Sequence, residues 1–303
     1  MTGLRIRHPV RTLERQVLLP AGTTVSPEVI HGLISSRPRA SYRWLPVLSY
    51  KTVEKDSLFF MGSEPYRRIF EGAETISRIL RVMREVRLVS PVLESLDYFK
   101  GHDPYTYRHV LIVFALSSLL ASDLVKDYGD MIREAMAGPA HDFGKVSVPL
   151  GLLRKTGPLS RTERGLLEHH AAAGYVLLCY YQGEIYSFAA KAAKEHHERR
   201  DRSGYPLGIP LTDPMVEIIA ACDIYDALLS PRPYRPTSYD NRTALEVLTE
   251  MAVEGKLDWA VVRALVSYNR KVRPHPRECQ VSTEKRGAPP DGNLYGVIVE
   301  EDP

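Results

Sequence analysis

From residue 103 to residue 276 the chain keeps repeating one local pattern. A capping residue comes first, then proline or glutamate in the first turn, then apolar residues three and four positions apart. Asp103-Pro104 opens a helix through Val110, Val113, Leu116 and Leu120, and Asp130 to Ala140 reads as a second. Ser160 with Glu163 three residues later is a capping box that starts a third. Phe188 to Glu198 is a fourth, and Asp213-Pro214 begins a fifth that carries Ile218, Ile219, Cys222 and Asp223. Asp240 to Glu254 and Asp258 to Lys271 complete the series. Few strand signals interrupt it. The fold class expected is therefore mainly α, a helical bundle over residues 96–273.

The first 95 residues differ. Val17 to Thr24 reads as a short strand running into a turn, and Ser26-Pro27 starts a helix to about Ser36, with Ser as N-cap and Pro at the first helical position. Residues 36–41 are a loop. Leu45 to Phe60 alternates loosely and could hold a strand. Tyr66 to Arg87 sets Ile69, Phe70, Ile76, Ile79, Leu80 and Met83 near one helical face. Residues 1–95 thus resemble a small mixed α/β module, regulatory or used for dimerisation. Residues 274–303 form a tail rich in Pro, Gly and charge. Its one candidate strand, Leu294 to Val299, would join the N-terminal module.

Composition narrows the function classes. A net charge of +3 in 303 residues does not call for a nucleic-acid polymer, a membrane surface or an acidic partner. Three cysteines, Cys179, Cys222 and Cys279, without CxxC spacing fit a reducing compartment and argue against a thiolate zinc site. The N-terminus has no apolar run of signal-peptide length, and the stretch from Val110 to Ala121 is too short to span a bilayer. A cytoplasmic protein without a membrane segment is expected.

The histidines are unevenly placed. Of ten, six lie between residues 109 and 197: His109, His141, His169, His170, His196 and His197. His8, His31 and His275 read as surface or loop residues, and His109 taken alone would be a core histidine. His169-His170 and His196-His197-Glu198 could each be a solvated helix end, and His141-Asp142 alone is a short motif. Together they are harder to dismiss. Imidazole and carboxylate bind hard or borderline metal ions, and a carboxylate can bridge two of them. Adjacent residues on a helix point about 100° apart, so adjacent ligands suit a helix end or a site where two metals each take one. Asp142 is the best candidate for a bridge, and Lys145 would bring a fixed positive charge toward a bound phosphate. Such a pair of metals activates water against phosphate esters.

The ordered set carries a resemblance: Tyr105-Thr-Tyr-Arg-His109, His141-Asp-Phe-Gly-Lys145, Leu153 to Leu159, Glu163 with His170 seven residues on, then Gly174. It continues with His196-His197-Glu198, Asp201, Gly204-Tyr205-Pro206, Asp223-Ile-Tyr-Asp226 and Arg232-Pro-Tyr-Arg235. Over about residues 98–272 this resembles the HD-GYP family, a branch of the HD-domain metal-dependent phosphohydrolases.

The resemblance implies two divalent metal ions, iron or manganese. One would take His109, His141, Asp142 and Asp223; the other would share Asp142 and take His170, His196 and His197. Spacing to Glu163 and Gly174 selects His170 over His169. Family members with a third metal carry glutamate four residues before the first histidine; Tyr105 stands there, so two metals are expected. The implied activity is hydrolysis of cyclic di-GMP to pGpG and/or GMP by a hydroxide that the two metals activate. Asp142 and Lys145 would be catalytic, and Lys145, Tyr205, Asp226, Arg232 and Arg235 would bind substrate. The resemblance also leaves room for protein partners through the Gly-Tyr-Pro loop and for a homodimer. Two other functions fit the residues: a non-catalytic cyclic-dinucleotide receptor, and an HD phosphohydrolase for another cyclic dinucleotide or nucleotide. The chain departs from the family pattern at Arg202, where glycine is usual, at Ala171, where proline usually follows the histidine, and at Thr156, which replaces a common proline.

Overall fold

The computed structural model describes residues 3–37, 42–231, 237–293 and 298–299. Short strands β1 (Leu4–Arg5), β2 (Val10–Arg11), β3 (Val17–Leu19) and β4 (Thr24–Val25) lead into α1 (Pro27–Ser35). They pair antiparallel as β1 with β4 and β2 with β3. Ser26 caps α1 by accepting from the Val29 amide at 3.3 Å. Then come β5 (Trp44–Pro46), α2 (Val53–Met61), α3 (Ala73–Glu85) and β6 (Arg87–Val89), with β5 antiparallel to β6. The expected strand over 45–60 is thus confined to its first residues. The rest is helix, because Val53, Ser57 and Met61 fall four apart and bury one face.

The bundle follows: α4 (Ser90–His102), α5 (Pro104–Leu124), α6 (Tyr128–Ala135), α7 (Leu150–Leu153), α8 (Arg161–Gln182), α9 (Phe188–Glu195), α10 (Pro214–Leu229), α11 (Asn241–Val253) and α12 (Trp259–Tyr268). The caps read from sequence are in place. Asp103 accepts from Thr106, Ser160 and Glu163 form a reciprocal capping box, and Asp213 and Asp240 cap α10 and α11. The second bundle helix stops at Ala135, short of the expected Ala140. Gly138-Pro139 cannot extend an α-helix and tightens into a 3-10 turn. A second 3-10 turn spans Phe143–Ser147, so His141-Asp142 sits in the short link between two turns.

α5 lies at the centre. It packs against α10 and against α2, α3 and α4. By length and hydropathy it could cross a bilayer, but 78% of its apolar stretch is buried within the fold. One buried apolar cluster runs from Leu4 through Ile30, Met61 and Met83 to Leu265 and Tyr268. The tail strand corrects an expectation. Ile298–Val299 (β8) runs parallel to Leu159–Ser160 (β7), at the start of α8, and not with the N-terminal strands. Ser160 is already extended there as the N-cap of α8, which leaves its backbone open to a partner strand. Residues 294–297 of the expected strand lie outside the described residues.

Candidate metal centre

Five parts of the chain deliver donor atoms to one buried point. His109 comes from the second turn of α5, Asp223 from the middle of α10, His141 and Asp142 from the link between the 3-10 turns, and His170 from α8. His196 and His197 follow the last turn of α9. The close approach of the 141–147 turn to α8 depends on glycine. A Cβ on Gly144 would lie 1.9 Å from the His170 carbonyl oxygen and 2.4 Å from the Gly174 amide, so no side chain fits.

Asp142 stands between two sets of imidazoles. Its Oδ2 lies 3.5 Å from Nε2 of both His109 and His141. Its Oδ1 lies 3.4 Å from His170 Nε2 and 4.0 Å from His196 Nε2. Asp223 closes the first set, with Oδ1 3.0 Å from His109 Nε2, and its other oxygen is 3.8 Å from His197 Nδ1. His170 Nε2 is 3.3 Å from His196 Nε2 and 3.1 Å from His197 Nε2. Ligand atoms of His109, His141 and Asp223 lie within 4.8 Å of one another, as do those of His170, His196 and His197 and those of His141, Asp142 and His196. All seven residues expected to hold metal therefore meet in one place.

The rings are held from behind. The Nδ1 of His141 faces the Gly138 carbonyl at 2.7 Å, that of His170 the Leu167 carbonyl at 2.6 Å, and that of His196 the Ala193 carbonyl at 3.0 Å. An oxygen acceptor places the proton on Nδ1, so each Nε2 presents a lone pair to the centre. The Nε2 of His141 is buried with no hydrogen-bond partner among the described residues. Such an atom is costly unless something else satisfies it, and a cation among imidazoles and carboxylates would.

Protonation states agree with that use. Burial lowers His141 and His170. It also brings His196 down to about 3, helped by the His141 and His170 rings, and holds His197 well below the usual histidine range, helped by His196. Burial by itself raises Asp142, but Lys145 and the imidazoles of His141, His170 and His109 outweigh it and hold the carboxyl well below its usual range. Asp223 follows the same balance, with the His109 hydrogen bond as its main support against burial. Neutral imidazoles and ionised carboxylates are the forms that bind divalent ions.

The residues expected to touch substrate divide. Lys145 sits at the centre, with Nζ 2.5 Å from Asp142 Oδ2. The Tyr205 ring stacks on His197 at 4.6 Å between centroids, at the edge of the donor set. Asp226 is corrected. It is fully buried, and its Oδ2 accepts from His109 Nδ1 at 2.6 Å while its Oδ1 accepts from the Tyr66 hydroxyl at 2.5 Å. One helical turn in α10 puts Asp223 in front of the His109 ring and Asp226 behind it, so Asp226 faces away from any substrate. Arg232 and Arg235 lie outside the described residues.

Two residues gain parts that sequence reasoning did not assign. Glu198 is buried, and its carboxylate accepts from the amides of Leu207 at 2.7 Å and Ile209 at 3.1 Å, which braces the loop carrying Gly204-Tyr205-Pro206. Its place next to the histidine pair was the only signal. Tyr66 lies far off in sequence and gave none. His169 packs against His8, 5.5 Å between ring centroids, and points away from the donor set. Beside α5, a cleft of about 880 Å³ opens between Phe59, Tyr105, Arg108, Pro231 and Tyr239.

Residues 96–261 match the family model described as HD domain, more than half of the chain. The chain is 37% identical over 180 residues to a cyclic di-GMP phosphodiesterase of Pseudomonas aeruginosa, covering 57% of this chain and 42% of that protein. It is 43% identical over 157 residues to the cyclic di-GMP phosphodiesterase response regulator RpfG of Xanthomonas campestris, covering 50% and 40%. It is 36% identical over 134 residues to 3'3'-cGAMP-specific phosphodiesterase 3 of Vibrio cholerae, covering 44% and 29%. The matched segments thus span less than half the length of these curated relatives.

Proposed function

The chain belongs to the HD domain family, in its HD-GYP branch, and from that premise we propose that it is a metal-dependent phosphodiesterase that opens cyclic di-GMP to pGpG and/or GMP. The observation that carries the proposal is the split of Asp142, one oxygen toward His109 and His141 and the other toward His170 and His196. A single carboxylate shared by two donor sets suits two cations side by side. His109, His141, Asp142 and Asp223 would hold one, and Asp142, His170, His196 and His197 the other, with iron or manganese as the family's metals. When bound, the pair supplies Lewis acidity and a water of lowered pKa.

The chain's own groups do the rest. The buried imidazoles remain neutral at the working pH and keep their lone pairs available. Lys145 carries a positive charge to the edge of the centre, where a phosphodiester's non-bridging oxygens would come. Tyr205 offers a ring face beside His197 for a guanine base. Arg232 and Arg235 would add planar, permanently charged contacts to phosphate or guanine. In this reading residues 96–273 carry the chemistry in the cytoplasm, and residues 1–95 regulate it or make a dimer.

A second reading keeps the reaction and changes the substrate to a mixed cyclic dinucleotide. The likeness to a 3'3'-cGAMP-specific phosphodiesterase favours it, as does Arg202, which places a charge in the loop where the family usually has glycine. The test is chromatography of products from cyclic di-GMP and 3'3'-cGAMP offered separately to protein loaded with manganese or iron. Preferential formation of pGpG or GMP supports the first reading and preference for cGAMP the second. Tight binding of either with no product would make the chain a receptor.

A further inference from the structure

The ring of His109 is held from behind by an acid that a phenol holds in turn, where the other three anchored rings lean on backbone carbonyls. Its Nδ1 lies 2.6 Å from Asp226 Oδ2. The other oxygen of Asp226 accepts from the Tyr66 hydroxyl at 2.5 Å and from Ser230 Oγ at 3.0 Å. Ser230 Oγ in turn accepts from the Arg108 guanidinium at 2.9 Å, and that guanidinium lies over the Tyr66 ring, 5.4 Å from its centroid. All of Tyr66, His109 and Asp226 are buried. Tyr66 belongs to the turn between α2 and α3, outside the residues 96–261 that match the HD domain model.

We propose that Tyr66 is a positioning residue for the metal held at His109, acting through Asp226. A carboxylate behind a metal-binding imidazole fixes the ring's tautomer and orientation and raises its basicity, and such outer partners are worth about 10–100-fold in metal affinity. A buried carboxylate with two oxygens can rotate unless both are tied. Tyr66 and Ser230 tie Oδ1 from one side, which leaves Oδ2 aimed at His109. Burial, reinforced by the Asp226 charge, holds the Tyr66 phenol protonated, so its hydroxyl is a donor throughout the working pH range. The ring itself lies in the apolar core with Ile69 and Phe70 of the same turn. Tyr66 thereby acts on the His109 position. His170 and His196 have no link to Tyr66, since their Nδ1 atoms are anchored on Leu167 and on Ala192 and Ala193.

The inference rests on the two-metal reading, and its test separates the two. Metal-free full-length protein and its Tyr66→Phe variant are titrated with Mn²⁺ by calorimetry, with bound metal per chain counted independently. Phenylalanine keeps the ring and removes only the hydroxyl, so packing is preserved. The expected result is two ions per wild-type chain and, in Y66F, a loss of about 10-fold or more at one of the two sites with the other unchanged. A general loosening of the fold would not single out one site. Unchanged affinity at both sites, or an equal loss at both, would overturn the inference and leave the metal reading intact. A wild-type chain that binds no metal would overturn that reading and the inference with it. As a second variant, Asp226→Asn should weaken the same site as Y66F, and weakening of the opposite site would also overturn the inference.

Discussion

Lys145 Nζ and Asp142 Oδ2 lie 2.5 Å apart at the centre of the donor cluster, with the carboxylate buried and the ammonium close to it. Three residues separate them, which in a 3-10 turn places both side chains on one edge. In the proposed reaction the lysine would carry its charge to the point where phosphate charge develops.

For Lys145→Met, kcat should fall by roughly 10²–10³ while bound metal per chain stays at the wild-type value, as expected for a lost charge donor to the reacting group. Steady-state kinetics with elemental analysis on the same samples checks this. An unchanged kcat would mean that Lys145 serves only to neutralise Asp142.

The neighbours His169 and His170 should behave differently. His170 Nε2 faces Asp142 and the His196 and His197 rings, whereas His169 packs on His8. His170→Ala should lose one metal per chain and nearly all turnover. His169→Ala should keep both metals and cost about 1–3 kcal/mol of stability, as a buried packing change does. Metal loss in H169A with retention in H170A would reverse the assignment.

Glu217 supplies a pH signature. It is buried on α10, and burial raises its carboxyl to about 7, against the lowering influence of Arg200, whose Nε is 3.4 Å away. A raised folded-state pKa means that the folded chain binds the proton more tightly than the unfolded one. The associated stability is complete below the ordinary glutamate pKa and is lost as pH rises through 7. Glu217→Gln cannot lose that proton. Its stability relative to wild type should rise between pH 5 and pH 7.5, by at most about 1.4 kcal/mol per pH unit, and then level off. Urea unfolding across this range is the measurement, and a flat difference would sink the claim.

Arg202 adopts φ +69°, the left-handed region, at the position where the family usually has glycine. A non-glycine residue there costs about 1–2 kcal/mol, partly offset by the entropy that glycine loses on folding. Arg202→Gly should leave stability unchanged or raise it by up to about 1 kcal/mol in denaturant unfolding. A loss above that size would mean that the arginine makes a stabilising contact.

Much of this was legible in the sequence because it rests on local rules. The caps at Asp103, Ser160, Asp213 and Asp240 depend on residues within one turn, so the bundle helices could be read directly. The seven donors followed from an ordered motif. The helix Val53–Met61 is not legible in the loose alternation of residues 45–60, because its burial pattern comes from packing on α5, a distant partner. The pairing of β8 with the start of α8 is likewise non-local. Three residues from Asp223 means nearly the same helix side, and only the direction of the His109 ring shows that Asp226 stands behind that ring. Tyr66, 160 residues from Asp226, had no local signal at all.

The central claim is that two metals joined by Asp142 act as one hydrolytic unit. Metal-free protein titrated with Mn²⁺, with bound metal and cyclic di-GMP cleavage measured on each sample, tests it most directly. The account predicts that cleavage appears only as occupancy passes from one ion to two per chain. Full cleavage at one ion per chain, or none at two, would contradict it.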